Sequence, residues 1–159
     1  MQSSDVRGEG DDAGSMRVEE FRAAHLQLMM IQERQKTLSR YMTNDMTYAV
    51  EQSGWGYTAI GAREQILACA GIVPQWHGRG LAWAYLSDPM ERHEFLFVHR
   101  AVKRFLDTCF IKRIEMAVDC DFEEGHRWAR LLGFKVECER MEAYRPDGGA
   151  CALYSRVLN

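Results

Sequence analysis

The chain has 159 residues, 47% hydrophobic and 27% charged, with a formal net charge of −3, the profile of one globular domain large enough to bury a core without covalent staples. That balance gives no field for holding DNA or RNA, no apolar run reaches the length of a membrane span, and the N-terminus lacks a basic-then-apolar leader. Five cysteines without a C-x-x-C pair exclude a disulfide framework and a zinc knuckle, so a cytoplasmic protein with no nucleic-acid or membrane partner is expected.

Residues 1–15 are rich in Gly, Asp and Ser and poor in apolar side chains, which predicts a mobile tail ahead of a single domain over residues 16–159. Arg17 to Arg22 reads as a first strand and Ala23 to Gln32 as a helix. From Thr37 to Gln52 the apolar positions Leu38, Tyr41, Met42, Met46, Ala49 and Val50 recur at three and four, predicting an amphipathic helix stopped by Ser53 and Gly54. Trp55 to Ile60 and Gln65 to Val73 are two strands joined by a hairpin-sized connection. The second is almost continuously apolar, as in a strand covered on both faces.

Pro74 to Gly80 reads as a turn, Leu81 to Ser87 as the fourth strand and Asp88 to Glu94 as a loop feeding a helix from Glu94 to Cys109. In that helix Phe95, Val98, Ala101, Val102, Phe105, Leu106 and Cys109 make one apolar stripe, with Arg100, Lys103 and Arg104 elsewhere. The stretch from Arg113 to Phe134 is the most strongly patterned. Ile114, Met116 and Val118 alternate with polar residues as in a strand, and Asp121 with Glu124 has the spacing of a capping box. Phe122, Trp128, Leu131 and Leu132 supply the stripe of the helix that follows, and Gly133 ends it. Lys135 to Tyr144 and Ala150 to Leu158 then form a hairpin about the turn Arg145 to Gly149.

Val118, Asp119, Asp121, Gly125, Leu132, Gly133 and Phe134 carry a resemblance. Their unit is similar to the closing motif of the GNAT N-acetyltransferases, V-x-x-x-N-x-x-A-x-x-x-Y-x-x-x-G-F. Phe122 stands at the Asn position and Ala129 at that of the tyrosine with which many members protonate the departing coenzyme A thiolate. Gln75, Gly78 and Gly80 also match the family's Q/R-x-x-G-x-G/A pyrophosphate loop. A helix opening at Leu81 would, however, meet Pro89 within about two turns. Asp88 to Glu94 is therefore the expected loop, with Gln75 to Gly80 as its rival.

The resemblance implies an α/β (α+β) GNAT fold, a mixed, mostly antiparallel sheet of six to seven strands flanked by about four helices. It implies that the fourth and fifth strands splay to admit acetyl-CoA as cosubstrate, and that the acceptor is an amine on a small molecule or protein. Main-chain groups of Tyr85, Leu86 and Ser87 would pair with the pantetheine, the N–H groups of Arg92, His93 and Glu94 would face the pyrophosphate, and Phe122 would border the cofactor. Asp119 and His93 are the candidates for moving protons, whereas Asp121 is more simply a helix cap and Cys120 a structural thiol. Trp76, Trp83 and Trp128 read as packing residues. LAWAYLSD, HRAVKRFLD and HRWARLLGF further resemble phage-encoded GNAT-like proteins, including internal virion proteins of short-tailed phages. That implies a phage protein, as a homodimer or virion component, in which the fold can persist without catalysis.

Overall fold

The computed structural model describes residues 14–31, 35–36 and 43–159. Most of the expected tail, the last residue of the first expected helix and the first six residues of the second lie outside the described residues; the first helix stops at Leu28, with Met29 already in extended backbone, so Met29 to Ile31 are not helical as expected. Among the described residues the order is β1 (Arg17–Glu20), α1 (Ala23–Leu28), α2 (Asn44–Gln52), β2 (Gly56–Ile60), β3 (Ile66–Trp76), β4 (Arg79–Leu86), α3 (Arg92–Thr108), β5 (Arg113–Asp119), α4 (Glu123–Leu131), β6 (Lys135–Met141) and β7 (Cys151–Val157). The strands form one seven-stranded sheet in the order β1-β2-β3-β4-β5-β7-β6. Every neighbouring pair is antiparallel except β4 and β5, which are parallel because α3 carries the chain back to the same end of the sheet.

β3 is apolar throughout its first half because both faces are covered, with Leu67, Cys69 and Ile72 almost completely buried. On one face Phe21, Met29, Cys69 and Tyr85 pack with Leu26, Val50 and Trp83 beneath α1 and α2. On the other, Leu106 of α3, Ala129 of α4 and Leu132 just beyond it meet Ile72, Ile114, Val118 and Tyr154, while Val98 of α3 packs with Leu67, Ala68 and Leu86. Each such aliphatic side chain contributes about 1.5–3 kcal/mol. Trp128 bridges the two helices by donating its indole N–H to His99 Nδ1 at 3.1 Å.

QWHGRG forms a β-hairpin: β3 runs on to Trp76, His77 and Gly78 make the turn, and β4 starts at Arg79. Gly78 supplies the left-handed conformation (φ +80°) that the turn needs. Trp76 is not core; it is 65% exposed and lies under the Arg79 guanidinium, 4.4 Å from its ring centroid. The capping box at Asp121 does not form. Asp119 Oδ1 accepts the Asp121 N–H at 3.1 Å and the Asp119 carbonyl accepts the Phe122 N–H at 2.9 Å, so a turn precedes the helix and Phe122 is the N-cap residue.

α1 is fastened to the sheet by a histidine. His25 Nδ1 accepts the Arg22 N–H at 3.2 Å and lies 2.8 Å from the Thr58 hydroxyl, which must then donate to it. Cys69 Sγ, 3.6 Å from the same hydroxyl, completes the chain as a thiol, its pKa pushed up by burial to about 11. Burial likewise lowers the pKa of His25 below its ordinary 6.5. The unfolded chain therefore takes up a proton first as pH falls below about 6.5, and stability declines from there through the folded value. The melting temperature of the wild type should fall between pH 7.5 and 5.5 more steeply than that of His25→Asn, whose amide oxygen accepts without titrating; parallel slopes would contradict the assignment.

Candidate functional site

β4 and β5 pair only over Arg79–Leu81 and Arg113–Glu115, after which they separate, β5 remaining paired with β7 along its whole length. A wedge-shaped gap opens beyond Leu81, with one edge of β4 facing it. The pleat decides which residues present main-chain groups there. Ser87 donates its N–H to the Leu67 carbonyl at 2.9 Å, and Tyr85, opposite Cys69, has the same orientation toward β3. Of the three residues expected to meet a ligand through their backbone, Leu86 faces the gap, whereas Tyr85 and Ser87 are committed to the sheet. Ala84, not foreseen, faces the gap as well. In this structure Gln35 Nε2 donates to the Ala84 carbonyl and Gln35 Oε1 accepts the Leu86 N–H, both at 2.8 Å. Two residues beyond β4, the Met30 carbonyl accepts the Asp88 N–H at 2.8 Å.

The expected loop does join β4 to a helix, but α3 begins at Arg92, two residues earlier than its apolar stripe predicts. Arg92, His93 and Glu94 are therefore its first three residues, whose N–H groups have no carbonyl ahead of them in the helix. Glu94 points inward, 5% exposed, its carboxylate taking the Glu91 N–H at 2.8 Å and the Gln65 amide at 2.7 Å. His93 is exposed, with Nδ1 3.3 Å from a Glu91 carboxylate oxygen. Arg63 stands 3.6 Å from Glu91, so cations as well as acids border this helix end.

Asp119 ends β5 at the gap's open side. One carboxylate oxygen takes the Asp121 N–H and the other is held by Arg145, which also binds Asp147. Asp119 thus ties the β6–β7 turn to the end of β5. Phe122 lays its ring against Gly125, where an added Cβ would come within 2.6 Å of it, and packs on the core. Ala129, at the tyrosine position, is fully buried. His126 accepts or donates to the Tyr154 hydroxyl through Nδ1 at 2.8 Å and reaches the Cys120 carbonyl through Nε2 at 3.1 Å. Since a carbonyl only accepts, Nε2 carries the proton and Nδ1 receives the tyrosine O–H.

At the narrow end of the gap lies a ladder of charges that alternation shows only as a strand's polar side. Arg79 holds both oxygens of Glu115 at 2.6 and 3.0 Å, and Arg113 binds Glu115 at 2.5 Å and Glu137 at 2.5 and 2.8 Å. Ser155 donates to Glu137 at 2.6 Å. Arg79–Glu115 clamps β4 to β5 where they still touch, and Arg113–Glu137 reaches across to β6. Arg113 and the Ser155 hydroxyl hold the Glu137 pKa down to about 2, and Arg79 and Arg113 lower that of Glu115. These depressed values belong to the folded state, so the stabilisation is complete above about pH 4.5 and is lost as pH falls toward 2. Between pH 5 and 3 the melting temperature of Glu137→Gln should fall less steeply than that of the wild type; equal slopes would remove the ladder from the account.

No protein-family model matches the sequence, and no curated protein does. Solved structures match over most of their length. Ard1 from Thermoplasma volcanium superposes with a TM-score of 0.72 at 16% identity, over 91% of this chain and 99% of that one. A GNAT-superfamily phosphinothricin acetyltransferase from Sinorhizobium meliloti, in complex with AcCoA, gives 0.66 at 14% identity, over 91% and 89%. A GNAT-family acetyltransferase from Bacillus anthracis gives 0.65 at 9% identity, over 91% and 96%. At such identities the likeness bears on architecture alone: the chain has the fold of the GNAT acetyltransferases, a mixed seven-stranded sheet whose parallel fourth and fifth strands part.

Proposed function

We propose that this chain is a phage-encoded GNAT-type N-acetyltransferase, which takes acetyl-CoA into the gap between β4 and β5 and passes the acetyl group to an amine. The observation that carries the reading is the parting of β4 from β5 after Leu81, with Ala84 and Leu86 turned into the opening. A secondary amide of the pantetheine arm offers the donor and acceptor that those two groups require. The first turn of α3 follows directly from the same strand, and its N–H groups and dipole suit the pyrophosphate. The likeness of LAWAYLSD, HRAVKRFLD and HRWARLLGF to phage proteins supports the origin.

In the reaction, the amine lone pair attacks the thioester carbon, the C–S bond breaks, and the thiolate and the ammonium must exchange a proton with a group or with water. Asp119 is a strut in this reading because both of its oxygens are engaged, and His93 borders the phosphates, not the acyl carbon. Water then carries the proton. The same facts, with Ala129 buried where a tyrosine acid would stand, favour a second reading: a GNAT-fold virion or interaction protein without turnover.

Calorimetric titration with acetyl-CoA tests the first step. Binding at micromolar concentration supports the site, and no heat at millimolar ligand would sink the enzyme reading. Where binding is found, release of free thiol in the presence of amines separates the enzyme from the binding protein.

A further inference from the structure

We infer that Gln35 is a built-in competitor for the gap, its carboxamide standing in for the amide of the ligand. The inference rests on the acetyl-CoA reading. A strand edge facing an open gap would leave its N–H and C=O groups to water. Here a single side chain satisfies a donor and an acceptor two residues apart, Leu86 N–H and Ala84 C=O, as a neighbouring strand would. The same edge is continued just beyond β4, where the Met30 carbonyl accepts the Asp88 N–H and Ile31 bridges Ser87.

A carboxamide and a pantetheine amide present the same N–H and C=O pair, so both cannot hold Ala84 and Leu86 at once. Binding then exchanges one amide for another, and the ligand's apparent affinity is reduced by the fraction of molecules in which Gln35 is bound. This makes Gln35 a brake on occupancy of the resting protein. It also gives Gln35 a definite response to ligand, since its carboxamide is released from β4 when the gap fills.

The test compares wild type, Gln35→Ala and Gln35→Glu by calorimetry with acetyl-CoA and with pantetheine, which lacks the nucleotide. Two ordinary hydrogen bonds of competition predict that Gln35→Ala binds both probes about tenfold more tightly. Gln35→Glu, which can accept from Leu86 but cannot donate to Ala84, should fall between them and guards against an alanine variant that fails to fold. In nitrogen-15 spectra the Gln35 side-chain amide of the wild type should shift to its solvated position as acetyl-CoA is added. Binding that is equal in wild type and Gln35→Ala, or weaker in the variant, overturns the competition while leaving the site standing. Failure of all three proteins to bind overturns the site and the competition together.

Discussion

Leu86→Pro is expected to weaken acetyl-CoA binding by about a hundredfold or more, roughly 2.7 kcal/mol. The Leu86 N–H points into the gap and takes no part in the β3–β4 ladder, so proline there removes the donor that a ligand would use without breaking a sheet hydrogen bond. The ring also puts a carbon where that hydrogen was, which keeps an approaching carbonyl away. The Leu86 side chain is buried, and losing it costs about 2–4 kcal/mol of fold stability whichever residue replaces it. Leu86→Ala is therefore the control: it loses the same packing and keeps the N–H. Binding retained in the alanine protein and lost in the proline protein isolates the main-chain donor. Equal affinities in the two would show that the ligand does not pair with this edge. Ser87→Pro, by contrast, cuts the bond to Leu67 and tests the sheet.

Gly80→Val should lower the melting temperature by about 10 °C. A Cβ at Gly80 would stand 2.4 Å from Ile72 Cγ2, a side chain that is itself buried in the core, and 3.5 Å from Ile111. Overpacking of this kind costs about 3 kcal/mol, and each kcal/mol is roughly 2–4 °C for a chain of this length. The position matters because Gly80 lies opposite Ile114, in the middle of the short stretch over which β4 and β5 are held together. Thermal denaturation followed by circular dichroism measures it. If Gly78 and Gly80 formed a phosphate loop instead, the substitution would abolish ligand binding and leave the melting temperature nearly unchanged.

What could be read from the sequence was local. The alternation of Ile114, Met116 and Val118, the stop at Gly133 and the stripe of α3 each reflect a period within one element, and each is found where it was expected. Pro89 excluded a helix after QWHGRG by elementary sterics, and the hairpin is there. The site depends on partners distant in the chain, which period does not encode. Whether Tyr85 or Leu86 faces the gap is decided by pairing with β3, one residue in two, so a register known to within one residue still names the wrong atoms. Gln35 lies about fifty residues from the groups it binds. Asp121 has the spacing of a helix cap, but the Asp119 side chain takes its N–H and moves the cap to Phe122. Arg79, Glu115, Arg113 and Glu137 look like separate polar positions until β4, β5 and β6 bring them together.

In the proposed function acetyl-CoA occupies the gap-facing edge of β4. Titration of nitrogen-15 labelled protein with acetyl-CoA reads that edge residue by residue. With the ligand on that edge, the Leu86 amide shifts strongly and becomes protected from exchange, the Arg92, His93 and Glu94 amides move with it, and the Ser87 amide, bound to Leu67, changes little. Shifts concentrated at His77, Gly78 and Gly80, with Leu86 unmoved at saturation, would contradict that placement.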